Sequence, residues 1–147
     1  MATRVKTVWS GGMTFTAEVN GHQLIMDADP YFGGTDQGPR PKPLLLAALC
    51  GCSGMDVVSI LEKMGIKDYT LEMDAQGESA AEHPIIYHTI TITYNFQGNN
   101  LPADKIAKAV NLSLEKYCAV NAMLKKAAKI IAEVYINNLE VQLGNGF

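Results

Sequence analysis

Cysteines 50, 52 and 118 are the residues of this chain best suited to chemistry, and the chain has no others. A thiolate is a strong nucleophile, and beside a second thiol it can start a reversible redox cycle. Cys50 and Cys52 lie two apart in a stretch, residues 44–55, that carries no charged side chain. That stretch reads as helix, where two positions are separated by about 200° around the axis. The pair therefore cannot bond each other there; one can meet Cys118, and the other is left as a small apolar packing residue. Arg40 and Lys42 lead directly into this helix, and cations near a thiol favour its thiolate. Cys52 lies too deep in the helix for help from the N-terminal dipole, which fades within the first turn. Activation would have to come from side chains brought to it.

Other chemistries find less support. His22, His83 and His88 are isolated, and Cys-x-Cys within a helix is poor chelate geometry, so no metal site is expected. His88, on the apolar side of a strand pattern, reads as a packed core or interface histidine. Asp56 is the one charge in the middle of the helix and reads as a partner for an N–H or hydroxyl at an interface. Gly33, Gly34 and Gly38 lack the Lys-Ser/Thr of a phosphate loop. Scattered Ser, His and Asp residues make no argument for a triad.

The surrounding elements are legible from periodicity. Met13, Phe15, Ala17 and Val19 alternate with polar residues, which predicts a strand with one buried face. Asn20-Gly21 suits a type I′ turn, with a returning strand at Leu24–Met26 and another at Val5–Trp9. Residues 28–42 read as a long loop, and long loops are often functional. Pro43 to Met64 reads as a helix, apolar nearly all round, about 33 Å long. A chain this small would struggle to cover it, so a second subunit is the simplest cover. Gly51 and Gly54 within it suggest close approach of another backbone. Strands follow at residues 69–76 and 86–96, joined by a hairpin loop at 77–84. A helix opened by Pro102 and Asp104 runs to about Tyr117, Cys118 sits at a junction, and a second helical face takes in Val120, Leu124 and Ala127. A last strand spans Val134 to Leu143, with a bulge or bend at Asn137-Asn138. Short turns point to antiparallel pairing and an α+β class.

Composition bounds the function. A chain of 147 residues suggests one domain over 1–147. It is 48% apolar and 18% charged, outside the range of disorder. Net charge is −3 with 12 scattered Lys and Arg, so no nucleic-acid face is expected, and no run reads as the roughly 18 apolar residues of a membrane span, so no membrane partner is expected. The N-terminal residues lack the apolar core of a secretory signal, and the odd cysteine count argues for free thiols in a reducing, cytoplasmic setting.

Two motifs carry a resemblance. The first runs from Gly33 through Thr-Asp-Gln-Gly-Pro-Arg-Pro-Lys-Pro-Leu-Leu-Leu-Ala-Ala-Leu-Cys-Gly to Cys52, and on through Ser-Gly-Met-Asp-Val-Val-Ser-Ile-Leu. The second is Glu115-Lys-Tyr-Cys118-Ala-Val, ahead of Lys125, Lys126 and Lys129. With this order of elements, the whole chain resembles the OsmC/Ohr family of thiol peroxidases. The resemblance implies an intertwined homodimer, with antiparallel sheets from both chains around long central helices. It implies that Cys52 is the peroxidatic thiol and Cys118 the resolving thiol, with Cys50 given no role. The implied activity is reduction of organic hydroperoxides through a Cys52 sulfenic acid, resolved by Cys118 and reset by an external dithiol of the lipoyl type, with no bound cofactor. Leu45, Leu49, Phe32 and Met55 are then candidate apolar walls for the peroxide. The sequence departs from the family where well-studied members carry a glutamate ten residues before the first cysteine, paired with an arginine from an earlier segment. Lys42 occupies the glutamate's place, and the nearest arginine is Arg40. The chain thus resembles a divergent branch, in which Arg40 or Lys42 would supply the activating charge. Non-enzymatic small-molecule binding and redox sensing by an OsmC-like dimer are the competing functions.

Overall fold

A computed structural model of the chain describes residues 1–144, which divide into two compact units, Met1–Leu45 and the residues from Leu46 onward. The first unit is an antiparallel meander of β1 (Lys6–Trp9), β2 (Phe15–Val19) and β3 (His22–Met26), in the order β1-β2-β3. The β2–β3 turn falls at Asn20-Gly21, both at positive φ (51° and 81°), as a type I′ turn requires. The buried face expected along β2 is largely absent within this unit. Ala17 is buried, but Met13 and Phe15 are 47% and 42% exposed, because three short strands alone offer no second layer to cover them.

Asp27, at the end of β3, organises the loop that follows. It is buried, and it accepts from the Ala28, Thr35 and Gln37 backbone N–H groups and from the Thr14 and Thr35 hydroxyls. The expected long loop is therefore a tied structure. Asp29 caps a single 3-10 turn at Pro30–Phe32.

The second unit holds nearly all of α1 (Leu44–Lys63), then β4 (Thr70–Ser79), β5 (Tyr87–Gln97), α2 (Ala103–Leu112), α3 (Ala119–Leu124), β6 (Lys129–Ile136) and β7 (Leu139–Val141). Its sheet has the order β4-β5-β6-β7. The expectation of purely antiparallel pairing is corrected here: β5 and β6 are parallel, Ile90 opposite Ile130 and Phe96 opposite Ile136. A parallel pair needs a long crossover, and residues 98–128, with both short helices, supply it. The bulge or bend expected at Asn137-Asn138 is a two-residue hairpin turn, which divides the expected last strand into β6 and β7, with φ of 49° and 68°. Asparagine tolerates that left-handed region better than other side chains.

The core packs one stripe of α1 and of α2 with β5. Leu49, Val57 and Leu61 on α1, Ile106 and Val110 on α2, and Tyr94 on β5 are all fully buried. The α1 residues recur at four- and eight-residue spacing, one face of a helix. By length and mean hydropathy α1 could also cross a bilayer; within this chain one stripe of it is buried. The all-round cover predicted for it is not supplied by this chain, since Met55 is 76% and Val58 44% exposed. Gly54 meets a side chain and not another backbone: a Cβ there would lie 2.9 Å from the Met73 sulfur of β4. Gly51 has nothing within 4 Å.

Candidate thiol site

The structure brings Cys52, and not Cys50, to Cys118. Cys52 precedes Ser53, a member of the buried α1 stripe, and it turns toward α2 and α3. The Cys52 and Cys118 sulfurs and a carboxylate oxygen of Asp56 all lie within 4.8 Å of one another. Cys52 and Asp56 are four apart, so they stack on one face of α1. Cys118 arrives from the crossover through one widened turn. Residues Ser113–Tyr117 form a π-helical turn in which the Cys118 N–H reaches the Ser113 carbonyl at 2.7 Å. Cys118 then leaves helical geometry (φ −73°, ψ 101°) and caps α3, its sulfur accepting from the Asn121 N–H at 3.3 Å. Single π turns inside helices are frequent at functional sites.

The two thiols differ. Cys118 is buried, whereas Cys52 is half-buried. Burial pushes the Cys118 thiol up to about 11; the Asn121 N–H works against the shift, and the neighbouring Cys52 and Asp56 add to it. It is therefore a protonated thiol at neutral pH. Cys50 turns away from the pair, half-buried, its pKa raised by burial and by Asp74. It lines a shallow groove with Gly51, Gly54, Met55 and Val58 on the exposed side of α1.

A buried hydroxyl chain stands behind the cluster. Ser113 Oγ donates to Asp56 Oδ2 at 3.1 Å. Ser53 Oγ lies 2.8 Å from Ser113 Oγ and 2.5 Å from the Tyr94 hydroxyl. With the Ser113 proton committed to the carboxylate, the others fall into line, Tyr94 donating to Ser53 and Ser53 to Ser113. Asp56 is thus a hydroxyl acceptor, as its sequence position suggested, inside the fold of one chain. Ser53, Ser113 and Tyr94 were not singled out from the sequence. Ser53 did carry a signal, a hydroxyl inside an uncharged helical run. A cleft of about 420 Å³ opens at Asp56, lined by Ile60, Met64, Leu112 and Tyr117, with Lys63 and Lys108 beside them.

The remaining expected residues fall elsewhere. Arg40 belongs to the first unit and is ion-paired with Asp36 at 2.5 Å and Asp29 at 3.5 Å. Lys42 is half-buried in the same unit. Leu49, expected as a peroxide wall, is fully buried in the core, and Met55 lines the Cys50 groove. His88 is not a core residue: it is exposed and bonds the Thr89 hydroxyl at 2.9 Å, because the buried side of β5 begins only at Ile90. Among the described residues the thiol pair and Asp56 are the one group of three metal-binding side chains this close. They offer three donors, one short of a structural zinc site and equal to the number of protein ligands in a catalytic one.

The sequence profile of the OsmC-like protein family matches residues 34–133. The chain is 39% identical to protein YhfA of Escherichia coli K12 over 131 residues, which cover 88% of this chain and 93% of YhfA. A crystal structure of a hypothetical protein from Aquifex aeolicus superposes with a TM-score of 0.78 at 31% identity, covering 93% of this chain and 98% of that one. An organic hydroperoxide resistance protein OsmC from Legionella pneumophila shares the fold, with a TM-score of 0.66 at 15% identity over 91% of this chain and 96% of its own.

Proposed function

The chain belongs to the OsmC-like protein family, and on that premise we propose that it is a thiol-dependent peroxidase that reduces organic hydroperoxides through Cys52 and Cys118. Family membership supports a redox or peroxide-related role in general. The observation that carries the finer reading is the pairing of an accessible sulfur, Cys52, with a buried, protonated one, Cys118, within 4.8 Å. That asymmetry suits an attacking thiol and a resolving thiol. The Cys52 thiolate attacks the distal peroxide oxygen, the O–O bond breaks, and the alkoxide takes a proton and leaves as alcohol. Cys52 is then a sulfenic acid. Cys118 condenses with it, expelling water and forming the disulfide before further oxidation. A small dithiol of the lipoyl type restores both thiols by exchange.

The activating cation is proposed to be Lys42 or Arg40, of which Arg40 already holds two carboxylates. Lys42→Met is expected to slow alkylation of Cys52. A homodimer in the cytoplasm completes the proposal. Family members are typically dimeric, and the exposed apolar side of α1 offers the surface for it.

The test is a thiol titration before and after one equivalent of cumene hydroperoxide, with mass-spectrometric mapping of the product. Two thiols should disappear, with a Cys52–Cys118 link within one chain. Turnover should follow when a dithiol is added. Unchanged thiols would overturn the peroxidase reading in favour of small-molecule binding; oxidation without turnover would favour redox sensing.

A further inference from the structure

Cys118 must give up its proton at the moment it attacks Cys52, and its surroundings oppose that loss. Water is a poor recipient for it, because the side chain is 2% exposed. Among the described residues, one other group clustered with both sulfurs can take a proton. Asp56 has a carboxylate oxygen within 4.8 Å of both sulfurs. Distances at a general base are often long before the reacting complex forms.

We propose that Asp56 is the general base, and then the general acid, of the resolving step, held in place by the hydroxyl chain Tyr94–Ser53–Ser113. The geometry places the carboxylate between the hydroxyl chain and the thiols. Oδ2 accepts from Ser113 Oγ at 3.1 Å, which restrains the carboxylate beside the thiols. Tyr94, Ser53 and Ser113 are each fully buried, so water does not compete for these bonds. The inference rests on the peroxidase reading for its biological setting. The chemistry balances without further reactants. The Cys118 S–H proton passes to the Asp56 carboxylate, and the Cys118 sulfur forms the S–S bond as the Cys52 S–O bond breaks. The departing hydroxide takes the proton back from Asp56 and leaves as water. The Cys118 sulfur is oxidised, the Cys52 sulfur is reduced, and Asp56 returns to its starting state.

The step can be isolated from peroxide. In the Cys50→Ser protein, dithionitrobenzoate places a thionitrobenzoate on Cys52, and attack by Cys118 releases a second, coloured thionitrobenzoate. The titratable and charged groups facing Asp56 are Cys52 on α1, Cys118 at the start of α3 and Tyr94 on β5. Lys63, Lys108 and Tyr117 stand around the cleft. With Asp56 as base, the second release should be nearly flat across neutral pH in the otherwise wild-type chain. Asp56→Asn should slow it tenfold or more and make it climb about tenfold per pH unit toward the Cys118 range, and Asp56→Glu should recover part of the rate. A steep climb with pH in the chain that keeps Asp56 would overturn the proposal even if Asp56→Asn does not fold. So would an Asp56→Asn protein that matches the parent rate and profile. If the second release behaves as expected while peroxide leaves the thiols intact, the peroxidase reading fails and the role of Asp56 stands.

Discussion

Ser53 on α1 and Tyr94 on β5 are joined hydroxyl to hydroxyl at 2.5 Å, and neither side chain is exposed. This bond ties the helix that carries Cys52 to the central strand of the sheet. Tyr94→Phe deletes the end donor of the chain and leaves Ser53 with Ser113 as its partner, so the cost should be about 1 kcal/mol. Ser53→Ala orphans the buried Tyr94 hydroxyl and removes the donor to Ser113, so it should cost more, about 2–3 kcal/mol. Urea unfolding of the two variants and the wild type checks the order; equal midpoints for the two variants would refute it, and midpoints equal to the wild type would mean that the hydroxyl chain contributes nothing to stability.

Acid should act first on the amino-terminal unit. Burial raises the pKa of Asp27, but the N–H groups of Gln37, Ala28 and Thr35 and the Thr35 hydroxyl outweigh it and hold the carboxyl at about 2. The ordinary value is about 3.9. A carboxyl held lower in the folded than in the unfolded chain contributes stability above the unfolded value. That contribution fades as pH falls from about 4 through the folded value near 2. Trp9, the single tryptophan, lies in the same unit. Its fluorescence should report loosening across that window, and Asp27→Asn should show the loosened signal already at neutral pH.

How much of this was legible in the sequence depended on whether the signal was local. The Asn20-Gly21 turn, α1 and the alternation of β5 are set by neighbouring residues, and they appear where the pattern places them. The parallel β5–β6 pair is a product of a 31-residue crossover, residues 98–128, which no strand periodicity encodes. The meeting of Cys52 with Cys118 was left open by spacing and came from the resemblance. The hydroxyl chain joins residues 41 to 60 positions apart, so it had no sequence signature beyond the oddity of Ser53. Asp27 drew no reading from the sequence, because the donors that gather on it are mostly backbone groups.

The exposed side of α1 gives a test of assembly. Met55, 76% exposed, and Val58, 44% exposed, lie on the same side of the helix, three positions apart. If a second copy covers them, the wild-type chain should sediment as a dimer at micromolar concentration. Met55→Glu would then place a charge in that interface and give a folded monomer with unchanged circular dichroism. A wild-type monomer, or a dimer indifferent to Met55→Glu, would remove this face from consideration.

The sharpest expectation concerns the order in which the three thiols react. Burial raises both Cys118, to about 11, and Cys50, so at pH 8 iodoacetamide should label Cys52 first. Labelling of Cys118 should rise by about tenfold per pH unit as the solution approaches pH 11, because only the thiolate reacts. The same order should hold for peroxide. Cys52→Ser should consume none, since a hydroxyl is a far weaker nucleophile than a thiolate. Cys118→Ser should take up one equivalent and stop as a sulfenic acid that dimedone traps. Cys50→Ser should behave as wild type, with only a packing cost. Peptide mapping after timed alkylation reads the sequence of events directly. Labelling that begins at Cys118 would reverse the roles assigned to the pair, and labelling that begins at Cys50 would remove Cys52 as the attacking thiol.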